Sequence, residues 1–480
     1  MADPLGGKPP VFILGVPRSG TTLLRTLLDS HPAIACGPET PWLAGHQPRS
    51  VMELWSFLRE HEAGYCSSYG MDKAVATSAA RALVSTLMDR YAAARGKTRW
   101  AEKTPDNVLH VPFLLELFPE ARVIHLTRDG LDVALSTSVT AEHRRGISGF
   151  LERNLGFGPC APAAENNPLT ALLRWHHWER LLRVALAGRE HLHVSYERLV
   201  TEPRPTLRQI MEFIGEPFEP AMLDYARFRH DYPAWEWGSA DVQARGGIAR
   251  ERAGRARREL TPTQLAVLDP VARGDGALDP SGSAARDPAA DPVLSLASSY
   301  IDGFARRLGL APSGATWDAA WLWLHGLGRR NWDGQRLLCL GDGRCGPAWA
   351  AALLGARLTI AGPEPDPALK RLADGLRVRV EWQTTREGPP PQDEADGVIG
   401  LRLVRGRDPG LDQLARALKP GGLLAVSFDL YADGDGAAAR LETDLFRTLG
   451  NGVVAHLDMG GPGTRVIGAA LAVRADGRPG

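Results

Sequence analysis

The chain has 480 residues, 56 lysines and arginines against 56 aspartates and glutamates, and five cysteines. Single cores stop growing near about 250–300 residues, so at least two domains are expected from length, and the zero formal charge argues against a globally basic partner surface for nucleic acid or an anionic membrane. The cysteines (Cys36, Cys66, Cys160, Cys339, Cys345) are few, odd in number and scattered, with no Cys-x-x-Cys, which fits a reducing compartment and no structural metal.

The opening stretch MADPLGGKPP lacks a basic n-region, and the apolar run behind it is too short for a signal peptide or a membrane span, so a soluble cytoplasmic protein is expected. That run, Val11-Phe12-Ile13-Leu14-Gly15-Val16, is continuous and rich in β-formers, as in a strand buried on both faces of a parallel sheet. After a turn at Pro17 and Gly20, the spacing of Leu23, Leu24, Leu27 and Leu28 predicts a helix ended by Ser30-His31-Pro32. A second helix–strand–helix unit follows at 113–117, 122–127 and 132–138, and a third strand at 191–195. Such alternation predicts an α/β fold, a parallel sheet flanked by helices.

Between 274 and 292 the composition turns to Gly, Ala, Ser, Asp and Pro, which reads as a flexible insertion. An amphipathic helix at 293–308 closes a first domain of residues 1–310. A second domain, 311–480, opens with a Trp-rich helix at 317–327, and the strand 336–340 then runs into Gly341-Asp342-Gly343-Arg344-Cys345-Gly346.

Gly15-Val16-Pro17-Arg18-Ser19-Gly20-Thr21-Thr22 has P-loop spacing, but Thr21 stands where the lysine belongs. Glycines let the backbone curl so that its N–H groups and the following helix N-terminus face an anion, and Arg18 moves the cation into the loop. A phosphate site is expected without the NTPase lysine. Taken alone, the same residues also describe a plain glycine corner between strand and helix.

The run VFILGVPRSGTTLLRTLLDSHPAIACGPET resembles the 5′-phosphosulfate loop of sulfotransferases that use 3′-phosphoadenosine 5′-phosphosulfate (PAPS), closest to the tyrosylprotein and bacterial branch. About 100 residues on, RVIHLTRDGLDVALSTS is similar to that family's 3′-phosphate motif. The resemblance implies a P-loop-like parallel sheet and a nucleotide held by Pro17, Arg18, Ser19, Gly20, Thr21, Thr22, Arg128 and Ser136. Tyr196, in the similar segment His193-Val194-Ser195-Tyr196-Glu197, would lie near the adenine. Arg18, Glu39 and Lys103 would be catalytic, with Glu39 as general base and Lys103, in Glu102-Lys103-Thr104-Pro105, following charge on the leaving oxygen. The implied partner is an acceptor with a hydroxyl or amine, whether small molecule, glycan or peptide, with PAPS or its product PAP as cofactor. A small-molecule kinase using the same loop and a non-enzymatic scaffold stand as alternatives, and Trp42, Trp55, Trp175 and Trp178 line either an acceptor cleft or the core.

The strand 337–340 with its glycine loop resembles class I S-adenosylmethionine (SAM)-dependent methyltransferases, and implies a second Rossmann-like α/β domain. Gly341, Gly343 and Gly346 would approach SAM and Glu364 its ribose. That family's Asn-Pro-Pro element is missing after the strand 397–401, so a bifunctional enzyme and a cofactor-binding relic both remain open.

Overall fold

The computed structural model describes residues 8–44, 50–60, 68–139, 167–231, 247–274, 291–310, 317–364, 366–384, 392–403, 411–429, 452–458 and 466–474. The insertion expected at 274–292 lies outside them except at its ends, where Gly274 caps one helix in the left-handed region and Asp291 caps the next. The residues partition into two units: 1–143 with 178–258, and 144–177 with 259–480.

The first unit is built on a five-stranded, all-parallel sheet in the order β2-β3-β1-β4-β5. Its strands are β1 (Val11–Leu14), β2 (Ile34–Cys36), β3 (Arg99–Glu102), β4 (Arg122–Thr127) and β5 (Leu192–Ser195). All four residues of β1 are buried. Because side chains alternate across a strand, Val11 and Ile13 join the core made by Leu24, Leu27 and Leu28 of helix α1 (Thr21–Asp29), while Phe12 meets Trp100 and Phe118 on the other face. The expected strands and helices here are present with ends moved by at most two residues. The strand β2 and the helices α2 (Val51–Glu60) and α3 (Lys73–Ala94) complete the unit between β1 and β3, and α4 (Val111–Leu117) and α5 (Gly130–Val139) flank β4.

The second unit carries a seven-stranded sheet, order β11-β12-β10-β9-β6-β7-β8. These are β6 (Arg336–Leu340), β7 (Arg357–Gly362), β8 (Val380–Thr384), β9 (Ala395–Leu403), β10 (Leu418–Asp429), β11 (Gly452–Asp458) and β12 (Val466–Val473). Strands β6 to β10 run parallel, and β12 lies antiparallel between β10 and β11. The chain winds one way from β6 through β7 to β8 and then the other from β9, a Rossmann-like doubly wound sheet whose direction switches at β6. The segment Lys419-Pro420-Gly421-Gly422 falls at a register shift within β10, with Gly421 at φ 73°.

The unit boundary falls earlier than the composition indicates. The helices Pro262–Arg273 and Pro292–Arg307 fall in the second unit, and a side chain on Gly346 would stand 3.2 Å from Ala305 of the latter. A glycine at the start of helix Gly346–Leu353 is what lets the two helices approach. Among the described residues, no helix is long and apolar enough to cross a membrane.

Candidate active site

In a parallel sheet every strand ends at the same edge, and here each strand of the first unit delivers one of the expected residues there. β1 leads into the loop 15–20, β2 into Glu39, β3 into Lys103, β4 into Arg128, and β5 into Tyr196. The winding direction reverses around β1, so the loop occupies the crevice where such folds hold ligands.

The loop is tight for identifiable reasons. Ser19 N donates to Val16 O at 3.0 Å, Gly20 sits at φ 92°, and Arg18, unusually for a residue with a side chain, at φ 74°. A Cβ on Gly20 would fall 2.3 Å from the Tyr196 ring, so Tyr196 lies against the loop. Gly15 is equally constrained, because its Cβ would fall 2.5 Å from Leu126 O of β4.

Arg128 binds the loop to its surroundings. Its guanidinium donates to Arg18 O at 3.1 Å, to Arg252 O at 2.8 Å and to Asp132 at 3.4 Å, and stacks 4.4 Å from the centroid of Tyr196. Ser136, expected beside Arg128 on a phosphate, instead accepts from Arg18 Nε at 3.1 Å and so fastens the loop's cation to α5. Two polar atoms here are buried with no hydrogen-bond partner, Ser19 Oγ and Arg128 Nε.

Across the crevice, Lys103 is completely buried and forms an ion pair with Glu39, with Thr22 Oγ1 3.5 Å from its ammonium. Glu39 is 26% exposed, which leaves its carboxylate open to solvent on one side. The structure thus brings Arg18, Glu39 and Lys103 to one sheet edge.

Three features escaped sequence reasoning. Glu102, one residue before Lys103, is a buried carboxylate that accepts hydrogen bonds from Thr40, Thr104 and Asn107. Asp132 accepts from Gly254 N at 2.8 Å and Ala256 N at 2.7 Å, which anchors the arginine-rich segment 250–258 beside Arg128. The charge run IARERAGRARRE was its only signal. Lastly, Asp29 holds Cys36 N at 3.0 Å and His230 at 2.6 Å; burial raises its carboxyl, but the His230 hydrogen bond and Lys97 bring it below the usual range. Trp178 is fully buried, and Trp55 packs 4.9 Å from Phe113 while its N–H bonds Thr77, so both serve packing. Cys36, Cys339 and Cys345 are buried free thiols, and Cys66 and Cys160 lie outside the described residues, among which no group of three or more His, Cys, Asp or Glu could hold a metal.

In the second unit, Gly341 (φ 111°) and Gly343 (φ 80°) turn the chain at the end of β6. Gly341 N donates to Ala361 O at 3.0 Å, and Trp349 Nε1 donates to Gly343 O at 2.7 Å. Arg344 pairs with Asp366 at 2.6 Å over this loop. Glu364 is exposed, two residues past β7, and Gly346 serves helix packing as described above.

The first unit is therefore an α/β domain whose glycine loop lies beside a carboxylate–ammonium pair. Residues 9–220 match the model described as Sulfotransferase family. The chain is 29% identical to Protein-tyrosine sulfotransferase of Drosophila melanogaster over 46% of its own length and 40% of that protein's. It is 32% identical to Nodulation protein NoeE of Sinorhizobium fredii over 45% of its length and 51% of that protein's. The chain thus spans about half or less of the length of these curated relatives. The solved sulfotransferase domain from the curacin biosynthetic pathway aligns with 53% of this chain and 92% of its own at 18% identity and a TM-score of 0.37.

Proposed function

We propose that the first unit transfers a sulfuryl group from PAPS to a hydroxyl or amine of an acceptor. The observation that carries this reading is the pairing of two orphaned buried donors, Ser19 Oγ and Arg128 Nε, at an anion loop with the Glu39–Lys103 pair on the neighbouring strands. Those donors, the loop N–H groups and the Arg18 guanidinium fit a nucleotide with phosphates at both ends.

PAPS, when bound, supplies an activated sulfuryl group and leaves as PAP. The chain's own residues do the rest. Glu39, open to solvent on one side, takes the proton of the attacking hydroxyl or amine. Lys103 and Arg18 put positive charge where the departing phosphate oxygen gains negative charge, in a site whose burial strengthens both. Arg128 and Tyr196 hold the loop's shape so that donor and acceptor meet in line.

Calorimetry with PAP and transfer from labelled PAPS to a panel of phenols, sugars and amines test this together. PAP is expected to bind and ATP not to, since Thr21 replaces the lysine that a kinase uses. Folded protein that binds ATP in preference to PAP would make the kinase reading correct. Glu39→Gln is expected to lower kcat about 10²–10⁴-fold with PAP affinity within about twofold; equal loss of both would make Glu39 a binding residue.

For the second unit we infer SAM binding, because Gly341 and Gly343 end β6 next to Glu364 past β7, at the point where the sheet's winding switches. SAM at about 100 times its Kd would stabilise the protein by about 2.7 kcal/mol, so an absent thermal shift leaves this unit a structural role.

A further inference from the structure

Glu39 and Lys103 come from different strands, and each is followed by a threonine. Thr40 Oγ1 donates to Glu102 Oε1 at 2.8 Å, and Thr104 Oγ1 donates to the same oxygen at 2.5 Å. Thr40 N in turn donates to Thr104 Oγ1 at 2.8 Å, and Asn107 Nδ2 donates to Glu102 Oε2. One buried carboxylate therefore ties the loop after β2 to the loop after β3, at the residue next to each member of the ion pair.

A carboxylate suits this position because it only accepts, at two oxygens with about four lone-pair sites, and three uncharged donors converge on it. Threonine is equally suited, since the Thr104 hydroxyl accepts from Thr40 N while it donates to Glu102. The backbone consequence is direct. Residues 39–40 and 103–104 cannot separate without breaking a hydrogen bond to a fully buried acceptor, whose loss costs more than that of an exposed bond.

We propose that Glu102 is a positioning residue, whose carboxylate grips Thr40 and Thr104 and thereby sets the spacing of Glu39 and Lys103. Its kinetic consequence rests on the sulfuryl-transfer reading, and its structural consequence stands without it. Burial raises the Glu102 carboxyl to about 6, with the Thr104 and Thr40 hydrogen bonds and Lys103 pulling it back and Glu39 adding to the rise. A neutral acceptor would avoid that cost of burial, so retaining a charge here fits a role in holding the pair.

Competitive acetylation of the full chain with acetic anhydride, read by mass spectrometry, tests the structural consequence. Lys103 is buried and Lys370 exposed, so labelling of the first is normalised to the second. Glu102→Ala is expected to speed Lys103 labelling about tenfold or more by freeing the two loops. Glu102→Gln is expected to stay within about threefold, since its carbonyl still accepts both threonines and the Asn107 amide, whose Oδ1 has no partner, can turn to meet the new NH₂. Unchanged Lys103 labelling in natively folded Glu102→Ala overturns the proposal, whether or not the protein transfers sulfate. Should that variant not fold, Thr40→Val cuts one arm of the same hub and is judged by the same result.

The kinetic arm uses labelled PAPS with a phenol acceptor. Glu102→Ala is expected to lower kcat about 30-fold with the PAP Kd within about twofold, and Glu102→Gln to recover most of the loss. Parallel loss of kcat and PAP affinity, with no recovery by glutamine, overturns the positioning role. A wild-type protein that turns over no acceptor counts against sulfuryl transfer, and the labelling result then decides on Glu102 alone.

Discussion

The two glycine loops of this chain look alike in sequence and differ in what surrounds them. The loop 15–20 is pressed between Tyr196 and Leu126, held by Arg128, and leaves Ser19 Oγ and Arg128 Nε buried without partners. The loop 341–346 has its groups largely spent on the chain itself: Gly343 O on Trp349, Arg344 N on Asp342 Oδ1, and the Arg344 side chain on Asp366. Among the described side chains, buried atoms without partners stand at the first loop and not at the second.

Alanine at the left-handed glycine of each loop separates the two most widely. At Gly20 the methyl would stand 2.3 Å from the Tyr196 ring at a φ of 92°, so Gly20→Ala is expected to cost about 3 kcal/mol and to abolish PAP binding. At Gly341, φ 111° but with nothing within 4 Å, the same change is expected to cost only about 1–2 kcal/mol of backbone strain. Urea unfolding of both variants measures the difference, and equal costs would mean that Tyr196 does not confine the first loop. Next in size is Arg128→Met, which removes a charged donor from a buried anion site and should weaken PAP about 10–100-fold by calorimetry. Arg344→Met should leave PAP affinity unchanged.

Glu102 gives a pH test on the first site. Its folded-state pKa of about 6 lies above the ordinary carboxylate value of 4.5, so it favours the folded state below 4.5 and loses that contribution as pH rises through 6. The loss amounts to about 2 kcal/mol at about 1.4 kcal/mol per unit. Glu102→Gln cannot lose a proton, so its stability relative to wild type should improve by about that much between pH 4 and pH 7.5. Urea midpoints at the two pH values check the sign, and a fall with rising pH would show that the carboxylate's hydrogen bonds outweigh its burial.

Legibility followed distance along the chain. Arg18, Arg128 and Tyr196 each follow a strand read from its apolar run, whereas Glu39 and Lys103 follow the short strands β2 and β3, which no run announced, and only the family resemblance singled them out. What the sequence hid was pairing between edges: that Ser136 would take Arg18, that Asp132 would hold residues 254 and 256, and that Glu102 would face Thr40, 62 positions away. The helices 262–273 and 292–307 were misallotted for a related reason. Their amphipathic faces say that they pack, and only the small residues Ala305 and Gly346 say against what. The antiparallel pair β11 and β12 is separated by Gly460-Gly461-Pro462-Gly463, a turn signal that the sequence reading did not use.

The smallest effect belongs to the second loop and bears on whether its groups are truly spent. Arg344 and Asp366 are 40% and 38% exposed, so their ion pair is solvated and its coupling in a double-mutant cycle of Arg344→Ala and Asp366→Ala should fall below about 1 kcal/mol. Such a pair is a weak clasp, which a ligand's own polar groups can displace at little cost. If the cycle is repeated with SAM present and the coupling disappears, the ligand has taken over one partner, and the second loop is a site closed by its own side chains when empty. Coupling above about 2 kcal/mol that SAM leaves untouched would instead make the pair a structural strut, and the contrast between the two loops would be one of function as well as of packing.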